Sequence, residues 1–160
     1  MTAQVLDRII TTYRIGDPAG AFPIFDAKGA ELHPGRWNTA ASPVIYSCGD
    51  YSTAMLEKLV HGGGRLPPNQ HFIEITMPPG LSYEMVEVTR LPGWDARVTT
   101  IPQQFGERWF TEKRSLLLVV PSVVARMAYN WIINPNVAGF ARITTSLHRP
   151  VWWDDRLFAK

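Results

Sequence analysis

The chain has 160 residues, 46% of them hydrophobic and 19% charged, with a formal net charge of +2. That length suits one domain over residues 1–160 with a hydrophobic core of its own, so no disulfide or metal scaffold is needed to hold it together. Sixteen basic and fourteen acidic residues are dispersed without a Lys/Arg block, which argues against a nucleic-acid arm or a membrane-surface helix. Cys48 is the sole cysteine and forms no internal disulfide. The start of the chain lacks the apolar run of a signal peptide, and no stretch reaches the roughly 18 apolar residues of a spanning helix. Together these features predict a protein of the reducing cytoplasm.

Thirteen prolines and twelve glycines divide the chain into short pieces, which favours short strands over a bundle of long helices. Residues 9–15, rich in Ile, Thr and Tyr, predict a first strand, and 16–35 a long loop punctuated by Pro18, Gly20, Pro23, Gly29 and Pro34. A brief apolar strand at 43–47 leads into a helix over Tyr51–His61, with Asp50 as N-cap and the glycines at 62–64 as its stop. Leu56, Leu59 and Val60, with Met55 nearby, are the expected inward face of that helix. Residues 72–77 alternate so that Ile73, Ile75 and Met77 share one side of a half-buried strand, and 81–88 predicts another. A helix over 103–114 turns Phe105, Trp109 and Phe110 inward. The run 115–120 is apolar on both faces, as a central strand requires, and Pro121 ends it. Strands at Tyr129–Ile133 and 149–153 close the chain. The sum is an α+β domain around a mostly antiparallel sheet.

Familiar motifs are sparse. There is no G-x-G-x-x-G and no Walker loop, and the glycines at 62–64 run into Arg65 and not into Lys-Ser/Thr, so they read as a helix stop. The four histidines and Cys48 lack zinc spacing. Glu57 and His61 lie one helical turn apart, but two ligands make a weak metal match, and no metal is expected. More telling are polar residues placed where a plain core has no use for them. Tyr13 and Arg14 sit inside the first strand, Arg36 follows the long loop, and Tyr46 ends the second strand. Glu57 stands mid-helix, Ser122 follows Pro121, and Asn130 interrupts an apolar run. Each also has a purely structural reading: an Arg14–Glu57 ion pair, a core tyrosine, a capping serine, a bridging asparagine. Spacing alone does not name a reaction.

Taken in order, several segments resemble one family. Tyr13-Arg14-Ile15, Gly35-Arg36-Trp37-Asn38, Ser42-Pro43-Val44-Ile45-Tyr46-Ser47 and Ala54 through His61 are followed by Val120-Pro121-Ser122, Asn130-Trp131-Ile132-Ile133-Asn134-Pro135 and Trp153-Asp154-Asp155-Arg156-Leu157. In this order they resemble the RES-domain toxins, which are encoded beside Xre-like antitoxins and share their fold with ADP-ribosyltransferases. One departure is Ala128, at a place often acidic in the family, two residues before Asn130. A second is the less polar Val137-Ala138-Gly139.

The resemblance implies an ADP-ribosyltransferase-like fold, NAD as substrate without a prosthetic group, and cleavage of the nicotinamide–ribose bond that depletes cellular NAD. The acceptor is left open among water, inorganic phosphate as co-substrate and a protein side chain. Bond breaking spreads positive charge over C1 and the ring oxygen of the ribose, the oxocarbenium problem that glycosidases solve with carboxylates. Glu57 is the expected carboxylate, Tyr46 the aromatic face for the departing nicotinamide, and Arg14 the third catalytic residue. A guanidinium grips diphosphate in a forked geometry that Lys cannot copy, which nominates Arg14 and Arg36. Tyr13, Ser122 and Asn130 complete the NAD-binding set, with Asn130 acting behind the others. The family also implies an inhibitory Xre-like antitoxin, and homodimer formation within a larger complex stays open. Two alternatives remain: a protein ADP-ribosyltransferase acting on a specific target, and a non-enzymatic nucleotide or nucleic-acid binding module that stacks bases on an exposed Trp37, Trp94, Trp152 or Trp153.

Overall fold

The computed structural model of the protein describes residues 3–158. Its sheet is built from β1 (Gln4–Val5), β2 (Ile10–Gly16), β3 (Ile45–Cys48), β4 (His71–Met77), β5 (Ser82–Met85), β6 (Leu117–Pro121), β7 (Tyr129–Ile133), β8 (Thr144–Thr145) and β9 (Arg149–Pro150). The strands run in the order β1-β5-β6-β7-β3-β2-β4-β8, with β9 also on β4. The β5–β6 pair is parallel and the other pairs are antiparallel, so the expected α+β, mostly antiparallel architecture is the one found. Three α-helices join it: α1 (Lys28–Leu32), α2 (Tyr51–His61) and α3 (Thr100–Thr111).

The apolar run before Pro121 forms the central strand because side chains alternate across the pleat. Leu117 and Ile133 enter one buried cluster with Ile45, Ile75 and Met77. Leu118, Val120 and Ile132 enter the other, beneath Trp109 and Phe110 of α3. Pro102 sits in the first turn of α3, where its missing N–H costs no helical bond. Helix α3 also presses on the 35–38 segment: a Cβ on Gly106 would lie 1.7 Å from the Trp37 carbonyl oxygen. That approach seals Trp37, which is only 3% exposed and lies against Trp94 and Phe105. The expectation of an exposed Trp37 is therefore corrected, whereas Trp152 is exposed.

Helix α2 starts and stops as its sequence predicts. Asp50 Oδ1 accepts from the Thr53 N–H at 2.7 Å, and Gly63 and Gly64 take positive φ beyond the last turn. Its inward face differs from the expected one. Thr53 and Ala54 are buried, while Leu56 and Val60 are exposed. Ala54, Glu57, Lys58 and His61, an i, i+3, i+4, i+7 stripe of mostly polar residues, line the cleft between helix and sheet, and Tyr51 and Met55 pack against the buried cluster of Ile15, Cys48, Ala54 and Val151. Other boundaries shift as well: the helix expected over 103–114 runs Thr100–Thr111, and the strand expected over 43–47 runs Ile45–Cys48. The 16–35 loop contains α1, the strand expected over 81–88 stops at Met85, and that over 149–153 pairs only at Arg149–Pro150. Among the described residues no helix is long and apolar enough to cross a membrane.

Candidate active site

The site lies where the sheet parts. β2 and β3 are joined at a single register position, Tyr13 opposite Cys48, whereas β2 pairs with β4 along all seven of its residues. Beyond that one bridge the strands separate, and α2 packs over the gap. The resulting cleft, about 530 Å³ including the space open to solvent, is lined by Tyr13, Arg14, Ile15, Tyr46, Ser47, Cys48, Ala54, Glu57, Lys58, His61 and Asn130. Four elements supply it: β2, β3, α2 and β7. Of the seven residues singled out in the sequence, five meet here: Tyr13, Arg14, Tyr46, Glu57 and Asn130.

Glu57 is held from behind. Its Oε1 accepts from the Ser122 hydroxyl at 2.9 Å and from the Asn130 side-chain amide at 2.9 Å, while Oε2 has no hydrogen-bond partner among the described residues. Ser122 is fully buried, does not line the cleft, and also accepts from the Ala125 N–H at 3.0 Å. It acts on the site through Glu57. The carboxylate fixes the orientation of the Asn130 amide, because only its NH2 side can face an acceptor. Asn130 Oδ1 is thereby left buried without a protein donor. A buried acceptor of this kind is costly unless something donates to it, and since Oδ1 is closed off, Glu57 Oε2 is the acceptor the cleft leaves free.

Arg14 makes no ion pair with Glu57. Its Nε donates to the Ile24 carbonyl at 2.6 Å and its Nη1 to the Tyr46 carbonyl at 2.8 Å, bridging the strands where their ladder has ended. Two of its nitrogens are thus fixed by backbone, and Nη2 remains for a ligand. Burial pushes the Arg14 guanidinium below its ordinary value, opposed by the nearby Cys48, Asp26 and Tyr46. The Tyr46 hydroxyl donates to Asn38 Oδ1 at 2.6 Å and accepts from the Trp37 N–H at 3.1 Å. Burial, chiefly, raises the phenol above its ordinary range. With its hydroxyl engaged on both sides, Tyr46 has only its ring to give the cleft. Gly35 permits this, since a Cβ there would stand 2.9 Å from the Tyr46 ring. Tyr13 is half-buried and meets Tyr51 edge-on.

Arg36 is placed elsewhere. Its Nη1 donates to the carbonyls of Trp94 at 3.1 Å and Ala96 at 2.6 Å, pinning the 91–97 loop, and it does not line the cleft. Ala128 lies in the turn after β6, where its carbonyl accepts from the Ser122 N–H, and also outside the lining. Sequence reasoning gave Lys58 no role and weighed His61 only as a weak metal partner of Glu57, although both line the cleft. Among the described residues no group of three or more His, Cys, Asp or Glu is placed to hold a metal ion.

A split, mostly antiparallel sheet over a helix-borne carboxylate and a strand-borne arginine describes a class of domain, and comparison with known proteins places it. A model of the RES domain matches residues 11–154. The chain is 33% identical over 154 residues to the Prs ADP-ribosylating toxin of Sphingobium sp. (strain YBL2), covering 93% of this chain and 91% of that protein. It is 32% identical over 124 residues to Toxin Res of Photorhabdus laumondii, covering 76% and 79%. In fold it is similar to a chain of the Mycobacterium tuberculosis MbcT–MbcA toxin–antitoxin complex, with a TM-score of 0.68 and 14% identity over 92% of this chain and 86% of that one. The chain belongs to the RES-domain family.

Proposed function

We propose that this protein is the toxin of a bacterial toxin–antitoxin pair and breaks NAD at the bond between nicotinamide and ribose. The observation that carries this reading is Glu57, which has one oxygen tied to the buried Ser122 hydroxyl and the half-buried Asn130 amide and the other turned loose in a cleft shared with Arg14 and Tyr46. The nicotinamide of NAD is a pyridinium. When its bond to C1 breaks, the electron pair returns to the ring nitrogen and neutral nicotinamide leaves, so departure needs no proton donor. What it needs is stabilisation of the cation left on C1 and the ring oxygen, which a fixed carboxylate supplies without reorganising. Glu57 Oε2 serves that charge and holds a ribose hydroxyl. Asn130, whose amide donates to Glu57 Oε1, orients that carboxylate from behind. The Tyr46 ring packs the nicotinamide, and Arg14 Nη2 binds the diphosphate. Attack of water at C1, with loss of a proton, gives ADP-ribose; attack of inorganic phosphate gives the ADP-ribose 1-phosphate ester.

Transfer to a protein side chain is the second reading, favoured by the ADP-ribosylating relative that matches nearly the whole chain. The two are separated by incubating the purified protein with NAD, with and without phosphate and with and without cell lysate. Nicotinamide release in buffer, with ADP-ribose or its 1-phosphate as product, supports NAD degradation. Release only with lysate, with ADP-ribose on a protein, supports the transferase. No release under any condition removes both. A cytoplasmic NAD-consuming toxin has to be restrained in its own cell, and an Xre-like helix-turn-helix antitoxin that covers the cleft is the partner this reading requires. Homodimers within that complex are a further state that light scattering resolves.

A further inference from the structure

Lys58 follows Glu57 on α2, and the reading above gives it no task. It lines the cleft beside Glu57 and also a second cleft of about 580 Å³, including the space open to solvent, formed by β2 and the 16–29 segment. The residues common to both clefts are Arg14, Ile15 and Lys58. Two cations therefore stand where the clefts meet. Neither forms a salt bridge among the described residues. The nearby carboxylates are held by other groups through one oxygen each and lie beyond ion-pair distance: Glu57 by Ser122 and Asn130, Asp26 by the Lys28 N–H at 2.6 Å, Asp17 by the Ala19 N–H and the Asn69 amide. Burial, followed by the proximity of Arg14, pushes the Lys58 ammonium below its ordinary value. Like charges held together in a half-buried place cost free energy that an anion between them recovers.

We propose that Lys58 and Arg14 together form a seat for a diphosphate, set so that a dinucleotide lies across both clefts. The nicotinamide ribose then rests beside Glu57, and the adenosine lies between β2 and the 16–26 loop. The orientation rests on the NAD reading; the diphosphate seat does not. Arg14 supplies a fixed directional donor from the strand, and Lys58 a mobile point charge from the helix. Arg36, committed to the Trp94 and Ala96 carbonyls, takes no part.

The test uses the full-length protein with three probes measured by calorimetry: inorganic pyrophosphate, ADP and nicotinamide riboside. Lys58→Met keeps the stem and removes the charge, and Lys58→Arg keeps the charge; thermal melts check that both fold. Lys58→Met is expected to bind pyrophosphate and ADP roughly tenfold more weakly or worse, with nicotinamide riboside unaffected and Lys58→Arg largely restored. For NAD turnover, KM rises by a similar factor while kcat moves far less. Wild-type protein that does not bind pyrophosphate, or Lys58→Met that binds it as wild type does, overturns the seat. Pyrophosphate binding that depends on Lys58, without NAD consumption by the wild type, leaves the seat standing and removes the NAD reading.

Discussion

The two halves of β7 are built to different rules. At its end Ile132 and Ile133 are fully buried, and around them polar groups are matched. Trp109 Nε1 donates to the Ser115 hydroxyl, which donates to the Leu117 carbonyl, and Asn134 donates to the Phe110 carbonyl. At its beginning Asn130 enters the cleft with an unmatched buried oxygen, beside a carboxylate half used, an arginine with one nitrogen to spare and a lysine without a counter-ion. The apolar half holds the fold; the other half keeps bonding capacity unspent. Buried oxygens without a donor also occur away from the cleft, at Thr12, Gln70 and Glu84, so it is the meeting of a half-used carboxylate with two unpaired cations, and not an orphaned atom alone, that sets this end apart.

Substitutions that separate the two halves test this contrast. Trp109→Ala empties a fully buried position and is expected to cost about 4 kcal/mol of stability, read in a denaturant melt, with turnover per folded molecule preserved. Glu57→Gln should do the reverse, slowing nicotinamide release by about 100-fold or more while the melting curve stays close to wild type. If Glu57→Gln unfolds the protein, or turns over normally, the contrast fails at its centre. Asn130→Ala removes one of two donors to Glu57 and is expected to lower kcat roughly tenfold. Loss of stability in place of kcat would return Asn130 to a structural role.

The next effect is one of pH. Burial pushes the Cys48 thiol up from its ordinary 9.0 to about 12, and raises the Tyr46 phenol as well. Both groups stay protonated in the folded chain where the unfolded chain has released the proton. The Cys48 contribution to stability is complete below about pH 9 and is lost as pH rises toward 12, and that of Tyr46 begins to fall only above its ordinary value of 10.0. Alkaline melts should show that decline, and Cys48→Ala should flatten part of it. The smallest effect is expected on the outer face of α2. Leu56→Gln and Val60→Gln should each change stability by no more than about 0.5 kcal/mol, since both side chains face solvent. A loss of 2 kcal/mol or more, the ordinary value for a buried aliphatic residue, would restore the inward face expected from hydrophobicity.

That helix shows where sequence reasoning held and where it failed. Its limits were legible because caps are local: Asp50 and the glycines at 62–64 act within one turn of the ends they make. The central strand was legible because no other element is apolar on both faces. The inward face of α2 was misread because apolar residues were taken to mark the core, whereas this helix covers a cleft and turns its polar stripe inward. The site was legible in its residue types, with Tyr13, Arg14, Tyr46, Glu57 and Asn130 gathered in one place. Arg36 and Lys58 were not separable by sequence. Which cation reaches the cleft depends on the parting of β2 from β3 and on the packing of the 91–97 loop, both long-range features. Ser122 was noticed as polar, but its role behind Glu57 needed the 65-residue contact between them.

The most direct test of the account is a crystal structure of the Glu57→Gln protein with NAD bound. The account predicts nicotinamide against Tyr46, the ribose hydroxyls beside residue 57 and Asn130, and the diphosphate at Arg14. NAD bound wholly on the other side of the 20–24 segment, in the cleft of about 870 Å³ lined by Phe25, Thr145 and Leu147, with residue 57 out of reach of the ribose, would contradict it.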